Sequence, residues 1–301
     1  MYCIMKLSAA KVFSFLGLAL FFSCRQKTNI PESPTSKTLL WEVTGNQLSS
    51  PAYFLGTMHM MCANEAVLSE NVKAVIKGVD QIYLEVDMDD IAELMSGMTS
   101  LSMKEGTTLA DLLTPQDYEK VKLFFETHQP AIPFKILERQ QPLMTSSGLY
   151  ELFLDCDQKN GIDLRIIDEA SRLKKVTKGL ETMAFQSSIF DSIPYQEQAK
   201  ELVKLIDSIG KYKSAMNEMI GVYREQDIEK LHDLTTREES GVNSYLDLLL
   251  YDRNRNWVKQ FRDIALNKKT LFAVGAGHLG GKQGVLNLLR QQGYAVRPLM
   301  N

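Results

Sequence analysis

The chain has 301 residues and a formal net charge of −3, with 45% hydrophobic and 24% charged residues. That is ordinary for a globular protein and ample for one sizeable core. No basic block interrupts it after the first residues, which argues against nucleic acid as a partner.

In chain order, a targeting segment comes first. Residues 1–23 carry Lys6 and Lys11, then an apolar run from Val12 to Phe22, then Ser23 before Cys24. A charged start, an apolar stretch too short to span a bilayer and a small residue before the cut are the parts of a secretory signal. The Ser23–Cys24 junction is similar to a bacterial lipoprotein signal, with Cys24 as the lipidated first residue, although Phe21 and Phe22 are bulkier than usual there. An ordinary signal peptide and an uncleaved anchor are the rival readings. Residues 24–37, with Pro31 and Pro34, read as a flexible tether, leaving 38–301 as the folded domain. The expected location is the bacterial cell envelope, lipid-anchored through Cys24 to the membrane, on the outer membrane or the periplasmic face.

Strand candidates follow at 39–43, 52–56 and 81–86, and again at 270–275 and 294–299, each short, apolar and bounded by turn residues. Gly45 to Pro51 suits a hairpin between the first two. A helix is expected over 65–77, stopped by Gly78, and a last one over about 284–292, stopped by Gly293. Between them, about 88–268, apolar residues recur at helical spacing over 115–127, 142–157, 181–191, 196–222 and 226–266, with a possible strand at 174–179. The fold class is therefore α/β (α+β): a mixed central sheet formed by N- and C-terminal segments around a large helical middle insertion.

Two Gly-x-x-His units close two of these strands, Gly56 to His59 and Gly275 to His278, and they use two of only four histidines. A glycine at a strand end permits a tight turn and leaves room for a ligand. The histidine then sits at the carboxyl end of the strand, where open α/β sheets bind ligands. His128 and His232 lack such context and are expected to be surface or structural, with alanine substitutions near neutral. Met58, Met60, Met61 and Cys62 make a copper site conceivable, against the commoner reading of methionine as packing. Cys62 and Cys156 are the cysteines left after Cys3 and Cys24. Exported protein permits a disulfide between them, and a ligand or nucleophile role for Cys62 is the less favoured reading.

Glu85 lies inside an apolar strand. It either alternates out to solvent or is paired inward with a cation. Asp87, Asp89 and Asp90 suit helix capping better than magnesium. Glu181 reads equally as an acidic first helical turn or as part of a site. Residues 252–257 form a charged cluster on a helical stretch, which is usually a solvated face.

These residues, in this order, resemble the TraB/GumN family, which includes TIKI-type Wnt-inactivating proteases and is akin to erythromycin esterases and ChaN-like haem-uptake proteins. The resemblance rests on Trp41 to Val43, Gly56 to His59, Tyr83 to Val86, Gly161 to Asp163, Gly179 to Thr182, Asp252 to Asn254, Trp257, Val274 to Leu279 and Gly293-Tyr294. It implies that His59, Glu85, Arg253 and His278 share one pocket, as the catalytic set. His59, Glu85 and His278 would be ligands of a divalent metal, Zn, Mn or Co. The implied activity is metallopeptidase-like hydrolysis of a peptide or small-molecule substrate. The alternatives are a metal-independent hydrolase using a histidine base with Glu85, and a non-catalytic haem- or metal-binding surface lipoprotein.

Overall fold

The computed structural model describes residues 37–301 apart from 91, 94–96, 98–99, 131 and 238–242. The signal, most of the tether and Cys24 lie outside the described residues. No helix among the described residues is long and apolar enough to cross a membrane.

Eight strands are present: β1 (Leu40–Thr44), β2 (Ala52–Thr57), β3 (Met61–Cys62), β4 (Gln81–Val86), β5 (Lys159–Asn160), β6 (Val176–Glu181), β7 (Thr270–Gly275) and β8 (Ala295–Pro298). Six form one mixed sheet in the order β6-β4-β7-β2-β1-β8, and β3 pairs with β5 apart from it. Strands β6, β4, β7 and β2 run parallel, while β1 is antiparallel to both β2 and β8. Parallel pairing aligns the carboxyl ends of β2, β4, β6 and β7, and that shared edge carries the site.

The longer helices are α1 (Glu70–Gly78), α2 (Pro115–His128), α3 (Ile162–Arg172), α4 (Met183–Asp191), α5 (Tyr195–Asp207), α6 (Ile209–Arg224), α7 (Ile228–Thr235), α8 (Asp252–Ala265) and α9 (Val285–Gln291). Local chemistry sets their starts: Ser69, Thr114, Thr182 and Asp227 each accept a hydrogen bond from a first-turn N–H. α1 begins at Glu70 rather than 65, because the N–H groups of Glu65 and Ala66 turn back onto the Cys62 carbonyl. The expected helix over 142–157 is shorter, Pro142–Ser147 and then a 3₁₀ turn Tyr150–Phe153. Beyond it, the Cys62–Cys156 disulfide and the β3–β5 ladder hold the chain extended. The run 196–222 breaks at Ser208, whose φ of −125° and ψ of 28° are not helical. The run 226–266 divides into α7, a π-helical stretch Asp247–Tyr251 and α8.

Two hydrophobic cores result. The first joins the sheet to helices on it. Phe54 and Phe272 stack at 4.8 Å, and Phe261 of α8 packs against both at 5.8 and 5.3 Å. Each of these buried rings contributes roughly 2–3 kcal/mol by removal from water. The second core, around Leu109, Val121, Phe125, Phe153, Leu202 and Leu205, belongs to the helical middle.

Candidate active site

β2 delivers His59 on the loop just past its end. The backbone there is pressed onto the start of α3: Ile162 N–H donates to the Met58 carbonyl at 2.9 Å. A Cβ on Gly161 would lie 2.3 Å from the His59 carbonyl oxygen, so only glycine fits. The Asp163 carboxylate then meets His59 Nδ1 at 2.8 Å, while the ring stays 67% exposed. This hydrogen bond, with the Asp163 and Glu85 charges helping, raises the imidazole to about 9 against burial and Arg253.

Glu85, at the end of β4, points inward. Its Oε1 accepts from Gly275 N–H at 2.7 Å, and its Oε2 takes Arg253 Nη2 at 2.5 Å. Burial is the largest single influence and opposes ionisation. Arg253, His278, His59 and the Gly275 N–H together outweigh it and hold the carboxyl far below the usual carboxylate range.

Arg253 comes from the first turn of α8, directly after the π-helical stretch, a distortion that often marks functional sites. Its Nη1 donates to the Leu249 carbonyl at 3.3 Å and its Nε to Glu181 at 2.9 Å. Glu181 also accepts from Trp257 Nε1 at 2.8 Å, and the guanidinium lies 4.9 Å from the Trp257 ring. Burial would favour the neutral form, but the two carboxylates keep Arg253 charged.

His278 sits in a short 3₁₀ turn after β7. Asn254 Nδ2 donates to the Gln283 carbonyl at 2.9 Å, which turns its Oδ1 to accept from His278 Nδ1 at 2.6 Å. That places the proton on Nδ1 and leaves Nε2 as an acceptor, 3.4 Å from Arg253 Nη1 and 3.9 Å from Glu85 Oε1. Burial, offset only in part by Glu85, lowers His278 to about 3. The two histidines therefore differ: one is exposed and basic, the other buried and neutral.

All three groups surround one point. A Cβ on Gly275 would lie 3.2 Å from Glu85 Oε1, 3.6 Å from His278 Cδ2 and 3.9 Å from His59 Nε2. Gly275 thus leaves room between these three side chains. Gly56 does not, since its Cβ would meet Leu279 at 3.0 Å and Ala276 at 3.1 Å. Its bareness admits the turn that carries His278. Beside Gly275 in the β2–β7 ladder, Thr57 Oγ1 is buried without a hydrogen-bond partner among the described residues.

The fit to a metal is chemical rather than preassembled. Among the described residues no group of three or more His, Cys, Asp and Glu side chains stands ready to hold an ion. Both imidazoles are nonetheless anchored through Nδ1, the second-sphere arrangement that ligating histidines use; His59 presents its Nε2 to the Gly275 gap, whereas His278 presents its Cδ2 there and its Nε2 to Arg253 Nη1. Glu85 is committed to Arg253 and Gly275 and has less to give. The soft-sulfur alternative loses two of its four donors, because Met61 is buried in the sheet core and Cys62 is bonded to Cys156.

The site also contains residues that sequence reasoning undervalued. Glu181 is a strand-end partner of Arg253, not a helix-dipole residue. Asp163 and Asn254 orient the two histidines. His232 is 9% exposed, with Nδ1 3.3 Å from the Gly277 carbonyl under the His278 turn, so neutrality to alanine is not expected there. His128 is exposed and stacks on Phe124 at 4.1 Å, as anticipated. Asp90 caps a turn by accepting from Ala92 and Glu93 N–H, in keeping with its expected role. A cavity of about 500 Å³ is lined by Asp87, Glu93, Glu181, Phe185 and Lys259, with no histidine in its lining.

The sequence model of the TraB/PrgY/gumN family matches residues 39–298. The chain belongs to the TraB/PrgY/gumN family. Among similar proteins, Metalloprotease TIKI1 of Danio rerio is 22% identical, with 90% of this chain and 64% of that protein covered. Metalloprotease TIKI1 of Homo sapiens is 23% identical over 88% of this chain and 63% of its own length. The Metalloprotease TIKI homolog of Amphimedon queenslandica is 22% identical over 88% of this chain and 62% of its own. This TraB/PrgY/gumN chain thus spans less than two thirds of the length of these curated relatives. No solved structure matches it.

Proposed function

We propose that the protein is a metal-dependent hydrolase of peptide bonds, acting at the Gly275 gap. The observation that carries this reading is the convergence of His59, His278 and Glu85 on that gap with Arg253 beside them. The naming of distant relatives as metalloproteases supports it. His59 Nε2 and His278 Nε2 would hold the ion, with Glu85 Oε1 as the third donor. A bound Zn, Mn or Co ion would supply Lewis acidity to water and to the scissile carbonyl.

The chain's own groups do the rest. Arg253 is fixed by Glu85, Glu181 and Trp257, so its guanidinium charge is preorganised beside the gap to stabilise charge developing on a substrate oxygen. Glu85 keeps the guanidinium in place and charged. His278, held neutral, keeps a lone pair on Nε2 at neutral pH. His59, its Nδ1 held by Asp163, presents its Nε2 at the exposed mouth of the site.

A second reading, metal-independent hydrolysis with His59 as general base, is favoured by one observation, the Asp163–His59 pair. A hydrolysis screen over peptides and esters, run before and after thorough chelation with metal content measured, tests both. Activity lost on chelation and restored by a divalent ion supports the first reading. A rate unchanged in metal-free protein replaces it with the second, and no turnover of any substrate leaves a haem- or metal-binding role.

The protein is further proposed to be anchored to the cell envelope by lipid on Cys24. Labelling with a lipid precursor should fail in Cys24→Ser, and undiminished labelling would refute the anchor.

A further inference from the structure

We infer that Asp163 is the positioning residue for His59, the side chain that aims its Nε2 into the site, an inference that rests on the active-site reading above. The two histidines are held very differently. His278 is buried between Asn254 and Trp257, whose ring is 4.5 Å from its own. The His59 ring is two-thirds exposed, and Asp163 is its recorded hydrogen-bond partner among the described residues. An exposed imidazole without that contact would turn about its Cβ–Cγ bond, putting the carbon Cε1 where Nε2 faces the site.

Asp163 has the features of a residue placed for this purpose. It stands in the first turn of α3, where an acidic side chain ordinarily complements the helix dipole in solvent. Here it is 7% exposed and directed at His59. Four contacts fix the two segments against each other: the Ile162-to-Met58 hydrogen bond, the close approach of Gly161 to the His59 carbonyl, the β3–β5 ladder and the Cys62–Cys156 disulfide. Each joins the chain just around His59 to the chain just around Asp163. Together they set the register that puts residue 163 beside residue 59.

The test compares wild type, Asp163→Asn and His59→Ala, using NMR of the imidazole nitrogens in metal-free protein and titration with Co²⁺ alone. Wild type should show a strongly downfield His59 Nδ1–H signal that Asp163→Asn removes, with the His278 signals unchanged. Co²⁺ should bind Asp163→Asn about 10- to 100-fold more weakly, the usual effect of losing an outer-sphere partner. A His59 ring signature unaltered in Asp163→Asn overturns the inference whatever the metal does. If wild type binds no Co²⁺, the metal reading fails, while the NMR comparison still decides the role of Asp163. Should Asp163→Asn not fold, the wild-type spectrum decides: a downfield His59 Nδ1–H supports the inference, and its absence refutes it.

Discussion

Arg253 touches both halves of the site at once: its Nη2 lies 2.5 Å from Glu85 Oε2 and its Nη1 lies 3.4 Å from His278 Nε2. A lysine ammonium cannot span Glu85, Glu181 and His278 from one position. Arg253→Lys should therefore lower turnover about 100-fold or more, the scale of a lost oxyanion donor. Arg253→Met strands two buried carboxylates and should cost about 3–5 kcal/mol in urea unfolding. A Lys variant with wild-type kcat/KM would remove Arg253 from the chemistry.

The two strand-end glycines should respond oppositely to alanine. At Gly275, with an ordinary φ of −49°, the methyl enters the gap between the donors, so folding should survive while Co²⁺ affinity and turnover fall at least about tenfold. At Gly56 the methyl strikes Leu279 and Ala276, and stability should fall by about 1–3 kcal/mol. Melting curves and metal titrations on both variants check the contrast.

Stability of the metal-free protein should peak near pH 6.5. Between about 3 and 6.5 the unfolded chain protonates His278 while the folded one does not, and Glu85 acts in the same sense below its ordinary value of 4.5. Stability therefore falls as pH drops through that window. Between 6.5 and about 9 the folded state keeps the His59 proton that the unfolded chain has released, so stability also falls as pH rises. Denaturant midpoints across pH measure this, and a curve still rising from pH 6.5 to 9 would contradict the His59 assignment.

The remaining histidines should separate. His128→Ala should lie within about 0.5 kcal/mol of wild type, whereas His232→Ala, under the Gly277 carbonyl, should lose about 1–3 kcal/mol. Equal melting temperatures for the two variants would show that His232 does not support the turn.

The disulfide bridges residues 94 apart in sequence, so replacing Cys62 and Cys156 by alanine should cost about 2–4 kcal/mol. Denaturant unfolding of the double variant measures it. An unchanged midpoint would mean that the β3–β5 ladder and the Asp163 contact suffice to hold this region.

Much of the sheet was legible because its strands are short apolar runs bounded by Gly, Asn and Ser. β1, β2, β4, β7 and β8 begin and end within a residue or two of where these signals put them, and the strand expected at 174–179 is β6, shifted to Val176–Glu181. The histidine loops were legible from glycine chemistry. Other features depend on contacts far apart in sequence. Nothing local tells that Glu85 turns inward rather than out, since its reason is Arg253, 168 residues away. Glu181 has the local look of a first-turn acid until Arg253 and Trp257 are beside it. The helix break at Ser208 and the change from π- to α-helix at Tyr251 interrupt no apolar periodicity, so spacing alone runs through them.

The two hydrophobic cores divide the chain's evolutionary freedom. The side chains that build the second core, around 109–153 and 199–206, include none of the residues that meet at the Gly275 gap. Substitutions in distant, unconnected sites combine nearly additively. Repacking that core can therefore accumulate without a compensating change at the histidines, and a foreign helical segment with its own apolar interior could be grafted there as a unit. The sheet edge that carries the histidines and the helical middle can thus drift at separate rates within a single chain.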